Sequence, residues 1–259
     1  MLDSLYIAAT GLTAQQLNVD AISNNLANVN TTAFKRDRVV FEDLLYRELA
    51  RANPLLSAGQ GLSGTGAGVG VANGSKIFVQ GDVKKTELPF DVAIRGRGFF
   101  EVVMPDGTRA YSRAGSFQLD KGGLLGTPQG YPLRPSIQIP QDAISVTIEA
   151  TGAVMVKLPD QNDSSEVGRI ELTDFLNPSG LTSIGDNLFV PSARSGDALP
   201  RRPGEEGSGT LAQGFLEGSN VKLADEFINL VIAQRAYEAN AKAIQVADEM
   251  LSITNNLRR

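Results

Sequence analysis

The chain has 259 residues, a formal net charge of −5 at pH 7, and neither histidine nor cysteine. This composition excludes Cys-containing zinc sites, His metal ligands, thiol catalysis and any triad whose base is an imidazole. An acidic balance also argues against a nucleic-acid partner, because phosphate neutralisation needs a concentrated basic face. We therefore expect no metal, no cofactor and no nucleic acid.

The N-terminal segment has the spacing of a long helix. Side chains recur three and four residues apart in a heptad pattern through Leu5, Ala8, Leu12, Gln15, Val19, Ile22, Leu26 and Val29. Asn24, Asn25, Asn28 and Asn30 crowd its end. Amides can satisfy polar groups in a crowded contact where a charge would be costly, although a helix-ending turn also explains Asn30.

A glycine-rich connector follows, which we place at residues 34–76. The glycines at 64, 66, 68 and 70 do not complete a dinucleotide fingerprint, and no phosphate-binding GK[ST] follows them. Residues 77–192 then read as an all-β domain, with hairpins around Asp106–Gly107 and around Thr151–Gly152. Residues 193–216 are rich in Pro and Gly and are interpreted as a return loop.

The C-terminal segment, residues 221–257, contains no Gly or Pro and predicts one long helix. Its apolar residues form two heptad seams, one including Phe227 and Tyr237 and the other including Ile232 and Val246. The seams lie on roughly opposite faces, so the helix needs cover on both sides. We predict an α+β protein whose residues 1–33 and 217–259 form an antiparallel, coiled-coil-like helical domain, the tube core of an assembly.

Two groups of charged residues in the β region are candidates for a functional site. Carboxylate catalysis could use Asp91, Glu101, Asp106, Asp120 or Asp174. Most of them sit at turns or strand ends, where Asp is common because its side chain hydrogen-bonds the nearby backbone, so we expect no enzyme. The four arginines Arg95, Arg97, Arg109 and Arg113 either bind an anionic polymer or partner, or form a solvated face of the domain.

Several motifs carry a resemblance to a known family. "NNLANVNTTAFKR" near the N-terminus and "EGSNVKLADEFINLVIAQRAYEANAKAI" near the C-terminus are similar to the terminal signatures of the flagellar rod and hook axial proteins. "VVFEDLLYRELA", "DVAIRGRGFFEV", "MPDGTRAYSRAGSFQLD" and "LTSIGDNLF" resemble the distal rod members in particular. The residue before Phe34 is commonly Gly in that family and is Ala33 here. We therefore expect Asn28 or Asn30 to take any left-handed position.

The resemblance implies a structural subunit of the bacterial distal rod. Such subunits leave the cell unfolded through the flagellar type III export apparatus without a cleavable signal, and assemble helically into a hollow shaft that transmits motor torque. The implied partners are further copies of the chain, proximal rod subunits, the hook protein, and ring proteins of the peptidoglycan layer and outer membrane. The implied location is the basal body, in a rod spanning the periplasm.

The expected self-assembly interface lies on the terminal helices. It comprises Leu5, Leu12, Val19, Ile22, Asn24, Asn25, Leu26, Asn28, Val29, Phe227, Leu230, Tyr237, Ile244, Val246, Met250, Leu251 and Ile253. Two alternatives stay open: a proximal rod subunit of similar size, and a secreted β-domain protein with helical dimerisation arms.

Overall fold

A computed structural model of the chain describes residues 2–44, 68–159, 163–205 and 207–256. It confirms the α+β class, with a helix near each terminus and strands between them. The contacts divide the chain into two units: unit 1 comprises Met1–Ala27, Asp37–Lys76 and Lys222–Arg259, and unit 2 comprises Asn28–Arg36 and Ile77–Val221.

Unit 1 contains two long helices and a two-stranded antiparallel sheet. Helix α1 spans Leu2–Ala27 and helix α2 spans Leu223–Asn256. Strand β1, Asp37–Asp43, pairs with β2, Val69–Lys76. These strands lie in the segment predicted as an extended connector, so the described parts of that segment form a paired sheet instead. Residues 45–67 of the segment lie outside the described residues. The pairing escaped sequence reading because its two halves are far apart and one is glycine-rich.

Unit 2 is built from short strands. Their bounds are β3 Val83–Lys85, β4 Val92–Arg95, β5 Phe100–Val103, β6 Arg109–Ser112, β7 Gln118–Leu119, β8 Leu125–Gly126, β9 Leu133–Arg134, β10 Ser145–Ile148, β11 Ala153–Lys157, β12 Ser165–Arg169, β13 Leu172–Asp174, β14 Thr182–Gly185, β15 Leu188–Val190, β16 Leu199–Arg201, β17 Thr210–Gln213 and β18 Phe215–Glu217. The largest sheet has the order β14-β15-β6-β5-β9, and β10-β11-β12 form a second. Both predicted hairpins are present, as β5–β6 and β10–β11.

The predicted return loop at residues 193–216 carries paired strands instead. Strand β16 pairs with β13, β17 pairs with β4, and β18 pairs with β3. Each pair joins segments about 30 to 130 residues apart, so local composition gave no sign of it. Pro and Gly there bend the chain between strands.

Two cores support unit 2. The larger core is apolar and includes Val92, Phe100, Leu125, Val154 and Ile170, all fully buried. A smaller core is aromatic, built from Phe99, Tyr111, Phe175 and Phe189 with Phe78 packed against it. The Tyr111 and Phe175 rings meet edge-on with centroids 4.9 Å apart, a favourable arrangement of aromatic quadrupoles.

Side-chain amides complete the hydrogen bonding of two strands in unit 2. The Gln213 amide donates to the Val146 carbonyl (2.9 Å) and accepts from the Ile148 N–H (3.0 Å) on the open edge of β10. Gln80 donates to the Ile94 carbonyl and accepts from the Gly96 N–H, both at 3.0 Å. Each glutamine thus substitutes for a short piece of neighbouring strand.

The asparagine-rich segment enters unit 2 after α1 ends. Ala33 is fully buried with φ 58°, and its N–H donates to the Glu217 carbonyl at 2.8 Å. The expectation that Asn28 or Asn30 would take the left-handed position is therefore wrong, since neither has positive φ. The bond to Glu217 and the lack of space at this position fix Ala33 in the left-handed region despite its Cβ.

Candidate self-assembly surface

The two helices of unit 1 pack against each other in opposite directions. The Asn25 amide near the end of α1 lies 3.4 Å from the Glu226 carboxylate near the start of α2. Further along, a Cβ added to Gly11 would lie 2.9 Å from the Asn240 amide nitrogen. Gly11 thus leaves room for the Asn240 side chain at this crossing, and a larger residue there would displace that side chain.

The buried residues of the two helices are mostly small or polar. They are Ala8, Ala14, Ile22 and Asn25 on α1 and Glu226, Ala233 and Ala247 on α2. On α2 these positions recur every seven residues from Glu226 through Ala233 and Asn240 to Ala247, a heptad different from both predicted seams. The predictions followed large apolar side chains, whereas close packing of two helices selects small ones.

Asn25 is the polar centre of this contact. Its side chain is 1% exposed; it accepts a hydrogen bond from the Asp37 N–H at 2.8 Å and donates to the Asp37 carbonyl at 2.9 Å. The Asp37 carboxylate in turn pairs with Lys76 at 2.9 Å. One amide therefore fastens the first residue of β1 to the end of α1.

An apolar stripe on α2 is left uncovered. Its members are 50% to 60% exposed and lie within about 60° of one another at about 100° per residue: Ile228, Ile232, Val246, Met250 and Ile253. The centre of the stripe is rotated by roughly 120° from the contact with α1. Helices of water-soluble domains bury their large apolar residues, but the residues that the structure describes leave this stripe uncovered.

A second group of large exposed residues lies on a further face of the same helix. Leu223, Phe227 and Val231 follow one another at intervals of four and are each about half exposed. On α1, Tyr6 (61%) and Leu17 (45%) are also exposed, on a side away from α2. Unit 1 thus presents exposed apolar residues on both helices.

In the described part of the chain, no helix is both long and apolar enough to cross a membrane. The same residues contain no group of three or more Asp and Glu arranged to hold a metal ion. The exposed apolar residues of α1 and α2 are therefore the candidate functional feature of unit 1.

Comparison with known proteins decides the family. Models match for "Flagella basal body rod protein" at residues 5–35, "Flagellar hook protein FlgE/F/G D1 domain" at residues 93–156 and "Flagellar basal body rod FlgEFG protein C-terminal" at residues 212–257. The flagellar basal-body rod protein FlgG of Borreliella burgdorferi is 48% identical, over 100% of both chains. The FlgG proteins of Caulobacter vibrioides (46%; 99% of this chain, 100% of the relative) and Bacillus subtilis (39%; 100% of both) are also similar.

The chain belongs to the FlgG family of flagellar basal-body rod proteins. FlgG is the structural subunit of the distal rod, so the chain is a structural rod protein and not an enzyme. The family models cover most of both helices and the centre of unit 2; two of the motifs that carried the resemblance, at residues 39–50 and 181–189, lie outside the matched ranges.

Within this FlgG-family chain, the predicted interface residues fall into three groups. Six are exposed: Asn24, Phe227, Tyr237, Val246, Met250 and Ile253. Nine are half-buried: Leu5, Leu12, Val19, Leu26, Asn28, Val29, Leu230, Ile244 and Leu251. Two, Ile22 and Asn25, are buried between α1 and the rest of unit 1, and Asn28 and Val29 belong to unit 2.

Several exposed apolar residues of this FlgG-family helix pair were not among the predicted interface residues. They are Tyr6, Ile7, Leu17, Leu223, Ile228, Val231 and Ile232. Most of them are apolar side chains on a different face of their helix from the buried small residues. On α2 this face can be identified once Ala233 and Ala247 are recognised as the buried positions.

Proposed function

We propose that the chain assembles with copies of itself, through the uncovered apolar faces of α1 and α2, into a helical, hollow rod that transmits torque. The single observation that carries the proposal is the exposed stripe of Ile228, Ile232, Val246, Met250 and Ile253. Burying one such side chain contributes about 1.5–3 kcal/mol, so a neighbour that covers the stripe gains substantial affinity.

The presence of a further apolar group favours an open assembly over a closed dimer. A two-fold dimer uses one self-complementary patch, whereas Phe227 lies on a different side of α2 from Ile232. Contacts of one face with a different face of the next copy continue without closing. We propose that α1 and α2 pair as an antiparallel coiled coil within the tube core, at residues 1–33 and 217–259.

The remaining partners follow from the family. We propose that the rod contacts proximal rod subunits at one end and the hook protein at the other. It would turn inside ring proteins of the peptidoglycan layer and the outer membrane. We also propose export through the flagellar type III apparatus without a cleavable signal, and a position spanning the periplasm. The FlgG relatives favour a distal rod subunit over a proximal one of similar size.

The assembly test replaces one stripe residue by a charge. Val246→Asp should raise the concentration needed for assembly by about 100-fold or more, because it removes about 2 kcal/mol of burial and adds the cost of a desolvated charge. Val246→Ile, which keeps an apolar β-branched side chain at the same position, is the matched control.

Sedimentation and negative-stain microscopy of the purified chain provide the measurements. Concentration-dependent tubular filaments of the wild type and of Val246→Ile, absent for Val246→Asp, support the proposal. Closed dimers of the wild type, or filaments of Val246→Asp at the wild-type concentration, would overturn it. Unchanged far-UV circular dichroism of both variants shows that the fold is intact.

A further inference from the structure

Helix α1 has an exposed face on the side away from α2, which we call the outer face of α1. Its members lie within about 60° of one another at about 100° per residue: Tyr6, Thr13, Leu17, Asp20 and Asn24. This face is on roughly the opposite side of α1 from Ala8, Gly11 and Ile22. It therefore combines two large side chains, those of Tyr6 and Leu17, with one charge, the carboxylate of Asp20.

The apolar stripe of α2 carries the opposite charge near its middle. Arg235 and Ala239 fall within the angular range of the stripe, between its two apolar ends, and Lys242 lies about 20° beyond it; all three are exposed. Arg235 pairs with Glu238 at 3.0 Å, an exposed pair of a kind that contributes little stability. Among the described residues, Lys242 and Asp20 form no ion pair. The cation within the stripe can therefore accept a second carboxylate.

The contact between α1 and α2 within the chain shows how far apart these two charges lie along the helices. The Asn25 amide near the end of α1 lies beside the Glu226 carboxylate near the start of α2. Because the helices run in opposite directions, Asp20 is then level with Val231, although it is on the side away from α2. Arg235 lies one turn further along α2, at a distance of about 6 Å for 1.5 Å per residue. A second copy displaced by about 6 Å along the helices therefore brings its Asp20 level with Arg235.

The same displacement aligns the larger side chains of the two surfaces. To within one residue, Leu17 becomes level with Ala239, whose small side chain leaves room for it, and Tyr6 becomes level with Met250. Neighbouring copies in an open helical assembly run in the same direction, so α1 of one copy and α2 of the next are again antiparallel. Charge, side-chain size and spacing thus match without a change in either helix.

We infer that the apolar stripe of α2 in one copy packs against the outer face of α1 in the next copy, with Asp20 paired to Arg235. This contact specifies the proposed self-assembly and rests on it. Lys242 adds positive charge on the same side of α2 and strengthens the attraction for Asp20. The charges determine which face meets which and at what displacement, whereas the apolar ends of the stripe supply most of the affinity.

A second copy is the occupant that accounts for both surfaces at once. The stripe and the outer face are exposed on the same pair of helices, have opposite charges, and align at one displacement. An unrelated partner that covered the stripe would leave Tyr6 and Leu17 exposed. Since each copy offers both surfaces, the contact repeats from copy to copy without closing.

Charge reversal tests the ion pair. Asp20→Lys and Arg235→Glu each place like charges opposite one another, so each should raise the concentration needed for assembly about tenfold or more. The double variant Asp20→Lys/Arg235→Glu restores opposite charges and should assemble within about threefold of the wild-type concentration. Asp20→Lys/Lys222→Glu is the matched control, because it has the same net charge and Lys222 is exposed immediately before α2. This control should assemble no better than Asp20→Lys.

Disulfide cross-linking tests the alignment, because the chain has no cysteine of its own. Filaments are assembled from an equal mixture of Leu17→Cys chains and Ala239→Cys chains that carry a mass tag, and are then oxidised. Cysteines bond when their Cα atoms lie within about 7 Å, so tagged and untagged chains should form heterodimers. Gln234→Cys replaces Ala239→Cys in the control, since Gln234 is exposed about 140° away around α2, and should give few heterodimers.

Rescue by Asp20→Lys/Arg235→Glu also shows that neither single change prevents folding. Wild-type filaments together with unimpaired assembly of Asp20→Lys, or with a double variant no better than the single ones, would overturn this contact and leave the self-assembly proposal standing. Equal rescue by Lys222→Glu, or equal heterodimer yields with Ala239→Cys and Gln234→Cys, would do the same. Absence of any wild-type assembly would overturn both proposals.

Discussion

Lys35 and Glu217 lie 182 residues apart in the sequence and form an ion pair in which both side chains are completely buried. The same ammonium group donates to the Val79 carbonyl at 2.9 Å, and Glu217 Oε1 accepts from the Gly81 N–H at 3.0 Å. The pair therefore joins three distant segments of unit 2. The basic residues that end the asparagine-rich segment thus serve the fold, with Lys35 inside and Arg36 half-buried.

Removing the shared carboxylate should destabilise unit 2 strongly. Glu217→Gln removes the carboxylate that both buried cations, Lys35 and Arg113, bind, so we expect a loss of about 3–5 kcal/mol in the free energy of unfolding. Lys35→Met leaves the Arg113–Glu217 pair intact and electrically neutral, so its loss should be clearly smaller. Urea unfolding followed by circular dichroism measures both, and equal losses would show that the charge balance is unimportant.

The stability of the protein should depend on Lys35 at alkaline pH. Burial lowers the pKa of Lys35 below its ordinary 10.5, the Glu217 carboxylate raises it in part, and the Arg113 charge lowers it further. Between the lowered pKa and 10.5 the unfolded chain binds a proton that the folded chain has lost. The free energy of unfolding contributed by this group therefore rises with pH across that window and is constant below it.

The difference between wild type and Lys35→Met isolates this contribution, since the other lysines and tyrosines are common to both. The difference should change in favour of the wild type as pH increases through the window. A change in the opposite direction would mean that the ion pair outweighs burial and that the pKa of Lys35 is raised.

Substitutions at Ala33 should reveal how tightly its conformation is constrained. Ala33→Gly relieves roughly 1 kcal/mol of left-handed strain but loses a buried methyl group and adds freedom to the unfolded chain. We expect the free energy of unfolding to change by less than about 1 kcal/mol. Ala33→Val adds a β-branched side chain at positive φ in a fully buried site and should cost more than about 2 kcal/mol. Thermal unfolding compares the two, and a tolerated valine would contradict the geometry.

Asn25 should matter far more than its neighbour Asn24. Asn25→Ala removes the partner of the Asp37 N–H and carbonyl within buried surroundings, so unit 1 should lose about 1–3 kcal/mol. The Asn24 amide lies in an exposed position, 3.3 Å from Asp37 Oδ2, and Asn24→Ala should cost less than about 1 kcal/mol. Hydrogen exchange of the amides of β1 distinguishes the variants, and similar protection in both would refute the assignment.

The extent of the helices and the two hairpins followed from sequence, because each rests on local signals. The C-terminal helix was predicted at residues 221–257 and lies at Leu223–Asn256, where no Gly or Pro interrupts it. The β5–β6 turn was identified by Asp106 and Gly107, and Gly107 has φ 80°. Such features need only neighbouring residues to form.

Features that depend on distant partners were not accessible in this way. Nothing near Lys35 indicates that Glu217 will neutralise it, and nothing near residues 199–217 indicates which strands they join. The packed face of α2 was missed because large side chains mark amphipathic periodicity, whereas Ala233 is what the partner helix contacts. In a protein that assembles, large apolar residues mark contacts with neighbouring molecules as well as the chain's own core.

Neutral side-chain amides form hydrogen bonds to backbone groups in both units, and the surrounding medium has little effect on such bonds. Asn25 and Gln80 each bind one backbone N–H and one carbonyl. Gln213 and Asn220 each accept from one backbone N–H and donate to two carbonyls. Carboxamides do not titrate, and bonds between neutral dipoles are little weakened by dissolved ions. A subunit whose segments are fastened in this way keeps these particular bonds when the acidity or salinity of the medium changes.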